Sequence, residues 1–90
     1  MKNYCVKIIV RMKPSVKDIK GSTLKNAIDS FMSLQDLDCT VGSYYDIKFC
    51  ARNQVEALHT AEKISQELLS NDVIETYEIV DLEEVGSKEK

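Results

Sequence analysis

Tryptophan is absent from these 90 residues, proline occurs once, histidine once and glycine three times. No unbroken apolar run exceeds three residues, as at Ile8-Ile9-Val10, far short of the roughly 20 that a membrane helix needs. The N-terminal stretch has no signal-peptide apolar region either, so a cytoplasmic location with no membrane partner is expected. Basic excess is also missing. The formal net charge is -3 and Lys and Arg are dispersed among acids, which argues against general nucleic-acid binding.

Cysteine is scarce, odd in number and unpatterned. Cys5, Cys39 and Cys50 show no Cys-x-x-Cys spacing, and His59 is the lone histidine. On one regular strand, Cys39 and Cys50 would have opposite parity and point to opposite faces. They are read as small packing residues in a reducing compartment, with no metal site and no disulfide expected. A glycine-rich phosphate loop, a Gly-x-Ser-x-Gly elbow and a His-containing metal pair are all lacking, so no catalytic residue is assigned.

What is present fits one small domain: 43% of the residues are hydrophobic and 30% charged. Chains this short bury a modest fraction of their surface, which makes self-association an expected route to stability. Residues 1–84 are read as the domain and 85–90 as a mobile charged tail.

Lys2 to Met12 alternates, with Tyr4, Val6, Ile8 and Val10 on one face and Cys5, Lys7, Ile9 and Arg11 on the other, as a half-buried strand does. Lys13-Pro14-Ser15 ends it, because proline lacks a ladder donor. A polar loop to Gly21 follows. From Ser22 the period becomes helical, with Leu24, Ala27, Ile28 and Phe31 on one stripe and Ser22 or Thr23 as the cap. Residues 39–51 alternate again, with Val41, Tyr45, Ile47 and Phe49 on one side, and Gly42 is expected to bend this strand.

Asn53 to Glu56 reads as a capping box that opens a second helix. Its expected buried stripe is Leu58, Ala61, Ile64, Ser65 and Leu68, with Ala57 and Leu69 at the margins. His59 lies beside it as a boundary or surface residue. Asn71 is expected to stop this helix in the left-handed conformation, and Asp72 to make the turn. The last strand then runs from Val73 to about Leu82, with Tyr77 and Ile79 facing the core.

The order β-α-β-α-β implies an α+β fold: a three- to four-stranded antiparallel sheet with two helices on one face, resembling half or all of a ferredoxin-like fold. The other sheet face would carry Cys5, Ile9, Tyr44, Cys50, Val80 and Leu82 among Lys7, Arg11, Asp46 and Lys48. That mixture suggests packing on a second copy or a larger partner, the alternative being a solvated face with scattered apolar residues.

Leu68-Leu69-x-Asn71-x-Val73-Ile74-Glu75-x-Tyr77-Glu78 resembles the C-terminal signature of the PurS family, the small subunit of bacterial phosphoribosylformylglycinamidine synthase. Val6 to Val10, the Lys13-Pro14-x-Val16-x-Asp18 loop with Gly21, Ala27-Ile28 with Phe31, Val41-Gly42 and Glu56-Ala57 follow that family's order from Tyr4 to Glu84. Departures occur at Ile19 and Asp72, where the family often has proline, at Met32-Ser33, where it has glycine, and at Thr40 and Ser43, where it often has basic residues. Any contact made by that basic pair would be absent or rebuilt here.

The resemblance implies a subunit with no catalytic residue and no cofactor of its own. It would pair with itself and bridge a glutaminase subunit, which releases ammonia, and a large synthetase subunit, which uses ATP and magnesium. Lys13, Pro14, Asp18 and Gly21 are the loop candidates for docking, alongside Cys5, Ile9, Tyr44, Val80 and Leu82 on the sheet. Gly42, Asn71 and Tyr77 are assigned structural roles. A solvated turn at Lys13 to Gly21 remains the alternative to docking. A stand-alone ferredoxin-like domain that binds a small regulatory molecule is the alternative function. An RNA-binding reading has one stacking candidate, Tyr44, with Asp46 unfavourably beside it.

Overall fold

Alternation along Lys2–Met12 produces the central strand, β1, which hydrogen-bonds to a strand on each side. The computed structural model describes Met1–Gly86. The elements are β1, α1 (Ile19–Phe31), β2 (Gly42–Ala51), α2 (Gln54–Ile64) continued by a π turn at Ser65–Leu69, and β3 (Glu75–Val85). The antiparallel sheet has the order β2-β1-β3. This is the expected α+β arrangement in its three-stranded form. Val85 still belongs to β3, and residues 87–90 of the expected tail lie outside the described residues.

The core lies between β1 and α2. Tyr4, Val6, Ile8 and Val10 are buried on one face of β1, against Ala51, Ala57 and Ala61. Alanines on α2 let the helix sit close over the strand. The Ser65 hydroxyl, fully buried, donates to the Ala61 carbonyl at 2.9 Å and so satisfies itself within the helix.

Two expectations about α2 change. Its buried stripe is Ala57, Ala61, Ser65 and Leu69, while Leu58 and Leu68 are 39% and 78% exposed. A step of four residues per turn outruns the normal 3.6-residue helix. The π turn, closed by the Ser70 amide donating to the Ser65 carbonyl at 3.0 Å, supplies the extra residue and swings Leu69 inward in place of Leu68. The expected cap forms at Asn53, whose side chain accepts from the Glu56 amide at 2.9 Å, while the Glu56 carboxylate reaches back one residue further and accepts from the Arg52 amide at 2.6 Å.

The helix stops at Ser70, which turns extended, and Asn71 makes the turn that follows in place of the expected left-handed stop. Asp36 is the one described non-glycine residue with positive φ, so Asn71 is not left-handed. Its side chain accepts from the Val73 amide at 3.0 Å, and its carbonyl accepts from the Ile74 and Glu75 amides. This is an asparagine turn, and it leaves Val73 77% exposed before β3 begins at Glu75.

α1 starts three residues before the predicted Ser22, capped by Asp18 and not by Ser22 or Thr23. Gly21 is its one buried residue. α2 packs on β2 and β3, whereas α1 has no comparable contact with any strand. The radius of gyration is therefore 17.0 Å, with extents of 52 × 30 × 17 Å. A compact chain of this length would have a radius of about 12 Å. α1 is an arm.

Candidate functional site

The base of the arm gathers most of the loop residues singled out above. The Lys13 amide donates to the Ile74 carbonyl at 2.8 Å, tying the loop to the start of β3, and the Val16 amide donates back to the Lys13 carbonyl at 3.0 Å. A cleft of about 490 Å³ opens between this loop and the segment returning to β2, lined by Arg11, Lys13, Pro14, Asp18, Lys25 and Thr40. A second of about 310 Å³ adjoins it through Arg11 and Asp18 and reaches Gly42, Ser43 and Glu75. Both volumes lie in or near the range of small-molecule clefts.

Asp18 is at the junction. One carboxylate oxygen accepts from the Gly21 amide at 2.9 Å and the other from the Val41 amide at 3.0 Å. The Val41 and Gly21 hydrogen bonds, with Lys20 nearby, hold its pKa below the usual aspartate range. Gly21 is required here by space: a Cβ would lie 2.5 Å from the Cys39 carbonyl oxygen. Gly42 is equally confined, because a Cβ there would lie 2.6 Å from the Val10 carbonyl oxygen on β1.

The open face of the sheet is more charged than apolar. Lys7 stands in register between Asp46 and Asp81, and Cys5 between Lys48 and Glu83. Arg11 pairs with Glu78 at 2.9 Å. Ile9 and Tyr44 are register partners, and Tyr44 is 56% exposed. Cys5 is buried, its thiol donating to Asp46.

Leu82 is not on this face. A bulge places Val80 without a register partner between Ile79, opposite Ile8, and Asp81, opposite Lys7. The extra residue reverses the alternation. Leu82 consequently pairs with Val6 and packs in the core, while Val80 is 50% exposed. Tyr77 also packs on the core, half-buried, with its hydroxyl accepting from the Gln66 side chain at 3.0 Å.

His59 is exposed. Among the described residues, no three His, Cys, Asp or Glu side chains converge as metal ligands would. No described helix is long and apolar enough to cross a membrane. Exposed apolar and charged surface is present beside these features.

One such surface was missed by the sequence reading. Leu24, Ile28 and Phe31 share one face of α1, as their spacing requires. Leu24 and Phe31 are 47% and 86% exposed, and Met32 and Leu34 just beyond the helix are about half exposed. The periodicity marks an apolar stripe without saying which core it joins.

A family model described as PurS, phosphoribosylformylglycinamidine (FGAM) synthase, matches residues 5–83. This chain belongs to the PurS family. Solved structures agree. A chain of PurLQS from Thermotoga maritima is 26% identical, with a TM-score of 0.80 over 94% of this chain and 100% of that one. PurS from Thermus thermophilus is also 26% identical, with a TM-score of 0.79 over 93% of this chain and 99% of the other. The purS subunit of FGAM synthase from Thermotoga maritima is 25% identical, with a TM-score of 0.78 over 92% of each chain. No curated protein matches the sequence. As a PurS chain it is a subunit of FGAM synthase.

Proposed function

We propose that this chain is the small, non-catalytic subunit of FGAM synthase in de novo purine (IMP) biosynthesis. It bridges a glutaminase subunit and a large synthetase subunit and supports ammonia transfer between them. The observation that carries this reading is the family match over residues 5–83, joined to the likeness to a chain of PurLQS.

The residues support a scaffold role. Ammonia released into solvent is diluted and protonated, so a ligase gains when proximity replaces a bimolecular encounter. ATP and magnesium belong to the large subunit in this reading, and the chain works in the cytoplasm.

Self-association is part of the same reading. The arm leaves Leu24 and Phe31 exposed beside half-buried Ile28, and a second copy is the occupant proposed for that stripe. Burying the largely exposed Phe31 contributes about 1.5–3 kcal/mol before the cost of association, and half-exposed Leu24 about half as much.

The test is co-elution. Mixed with PurL-like and PurQ-like subunits from the same organism, with glutamine and nucleotide present, the chain should elute in one complex with both. Elution apart from both, alongside direct binding of an amino acid or nucleotide in calorimetry, would favour the stand-alone regulatory domain.

A further inference from the structure

We infer that Asp18 is the positioning residue that fixes the angle at which α1 leaves the sheet. An ordinary helix cap serves only its own first turn. Here one oxygen of the carboxylate does that, through Gly21, while the other accepts from the amide of Val41, 23 positions along the chain and immediately before β2. The first turn is thereby fastened to the strand entry.

The arm is seated at its first turn. Gly21 is the one buried residue of α1, and its missing Cβ is what allows the Cys39 carbonyl to pass beneath the helix. Beyond that turn α1 has at most slight contact with the strands of its own sheet, and Leu24 and Phe31 are exposed. Asp18 and the Cys39–Val41 backbone therefore form a latch, with Gly21 as its seat. Both carboxylate oxygens of Asp18, a docking candidate on sequence grounds, accept a backbone amide within the chain.

The latch decides where the apolar stripe is presented, so it governs the contact with a second copy. That consequence rests on the self-association proposed above, whereas the latch itself does not.

The experiment uses the full chain with Asp18→Ala and Asp18→Asn, following amide exchange and residual dipolar couplings by NMR and self-association by sedimentation. In Asp18→Ala the Val41 amide should exchange about tenfold faster or more, the effect of losing a charge-assisted hydrogen bond. The α1 couplings should change relative to those of β1, with the Val6 and Ile8 amides still protected. Asp18→Asn, whose side-chain oxygen still accepts, should fall between wild type and Asp18→Ala in exchange, couplings and dimer affinity. Unchanged Val41 exchange and unchanged α1 orientation in Asp18→Ala would overturn the latch. A displaced arm with unaltered dimer affinity would uphold the latch and remove self-association through α1.

Discussion

The Cys5 thiol donates to Asp46 Oδ1 at 2.8 Å on the diagonal of the β1–β2 pairing, since Lys48 and not Asp46 stands directly opposite Cys5. This hydrogen bond to Asp46 raises the thiol pKa, and burial and the aspartate charge raise it further. Cys5 should therefore resist alkylation at pH 8, where exposed Cys50 reacts. Asp46→Asn removes the charge and should speed Cys5 alkylation, measured by mass spectrometry of labelled peptides. An unchanged rate would mean that access alone protects the thiol.

Ile8 and Tyr77 should differ in what they contribute to stability. Ile8 is fully buried at the centre of β1, so Ile8→Ala should cost about 2–5 kcal/mol. Tyr77 is half-buried, so Tyr77→Ala should cost about 2 kcal/mol, short of the 3–5 for a fully buried ring. Tyr77→Phe loses only an exposed hydrogen bond and should cost about 1 kcal/mol or less. Urea unfolding of the three variants would check the order.

Ala61 of α2 is fully buried against Val6, Ile8 and Val10 of β1. Ala61→Leu should destabilise by about 1–3 kcal/mol through overpacking. A variant with wild-type thermal stability would show that α2 can lift from the sheet freely.

Phe31 separates folding from association. It is 86% exposed, so Phe31→Ser should leave the sheet's amide protection intact. The same change should weaken self-association, read by sedimentation at several concentrations. Equal dimer affinity in wild type and variant would exclude the arm as the self-association surface.

The pH dependence of the latch follows from the lowered pKa of Asp18, caused first by the Val41 and then by the Gly21 amide. A carboxylate with a depressed folded-state pKa contributes stability above its unfolded pKa and loses it as pH falls through the folded one. The arm should stay latched at pH 5 and loosen only below the ordinary aspartate range. The Val41 amide chemical shift across an acid titration reports this directly.

Legibility in the sequence divides by the range of the forces involved. β1, the capping box at Asn53 and the element order rest on local periodicity and were readable. Leu82 was misplaced because a bulge at Val80 is set by pairing with β1 and leaves no local signature. Leu68 yields its place to Leu69 because a π turn cannot be seen in a 3.6-residue pattern, and Leu58 lies at the margin because the neighbouring Ala57 takes the buried position. The Asp18 latch joins positions far apart in sequence, so Ser22 and Thr23, hydroxyls beside the periodic stretch, looked like better caps. α1 shows a further limit. Its apolar stripe was legible, but its lack of a partner within the chain belongs to tertiary geometry.

The most direct test of the central claim is a rate comparison. The large synthetase and glutaminase subunits from the same organism are assayed for FGAM formation with glutamine or with ammonia as nitrogen donor, in the presence and absence of this chain. The account predicts that the glutamine-dependent rate requires the chain while the ammonia-dependent rate does not. A glutamine-dependent rate that is the same without the chain would contradict it.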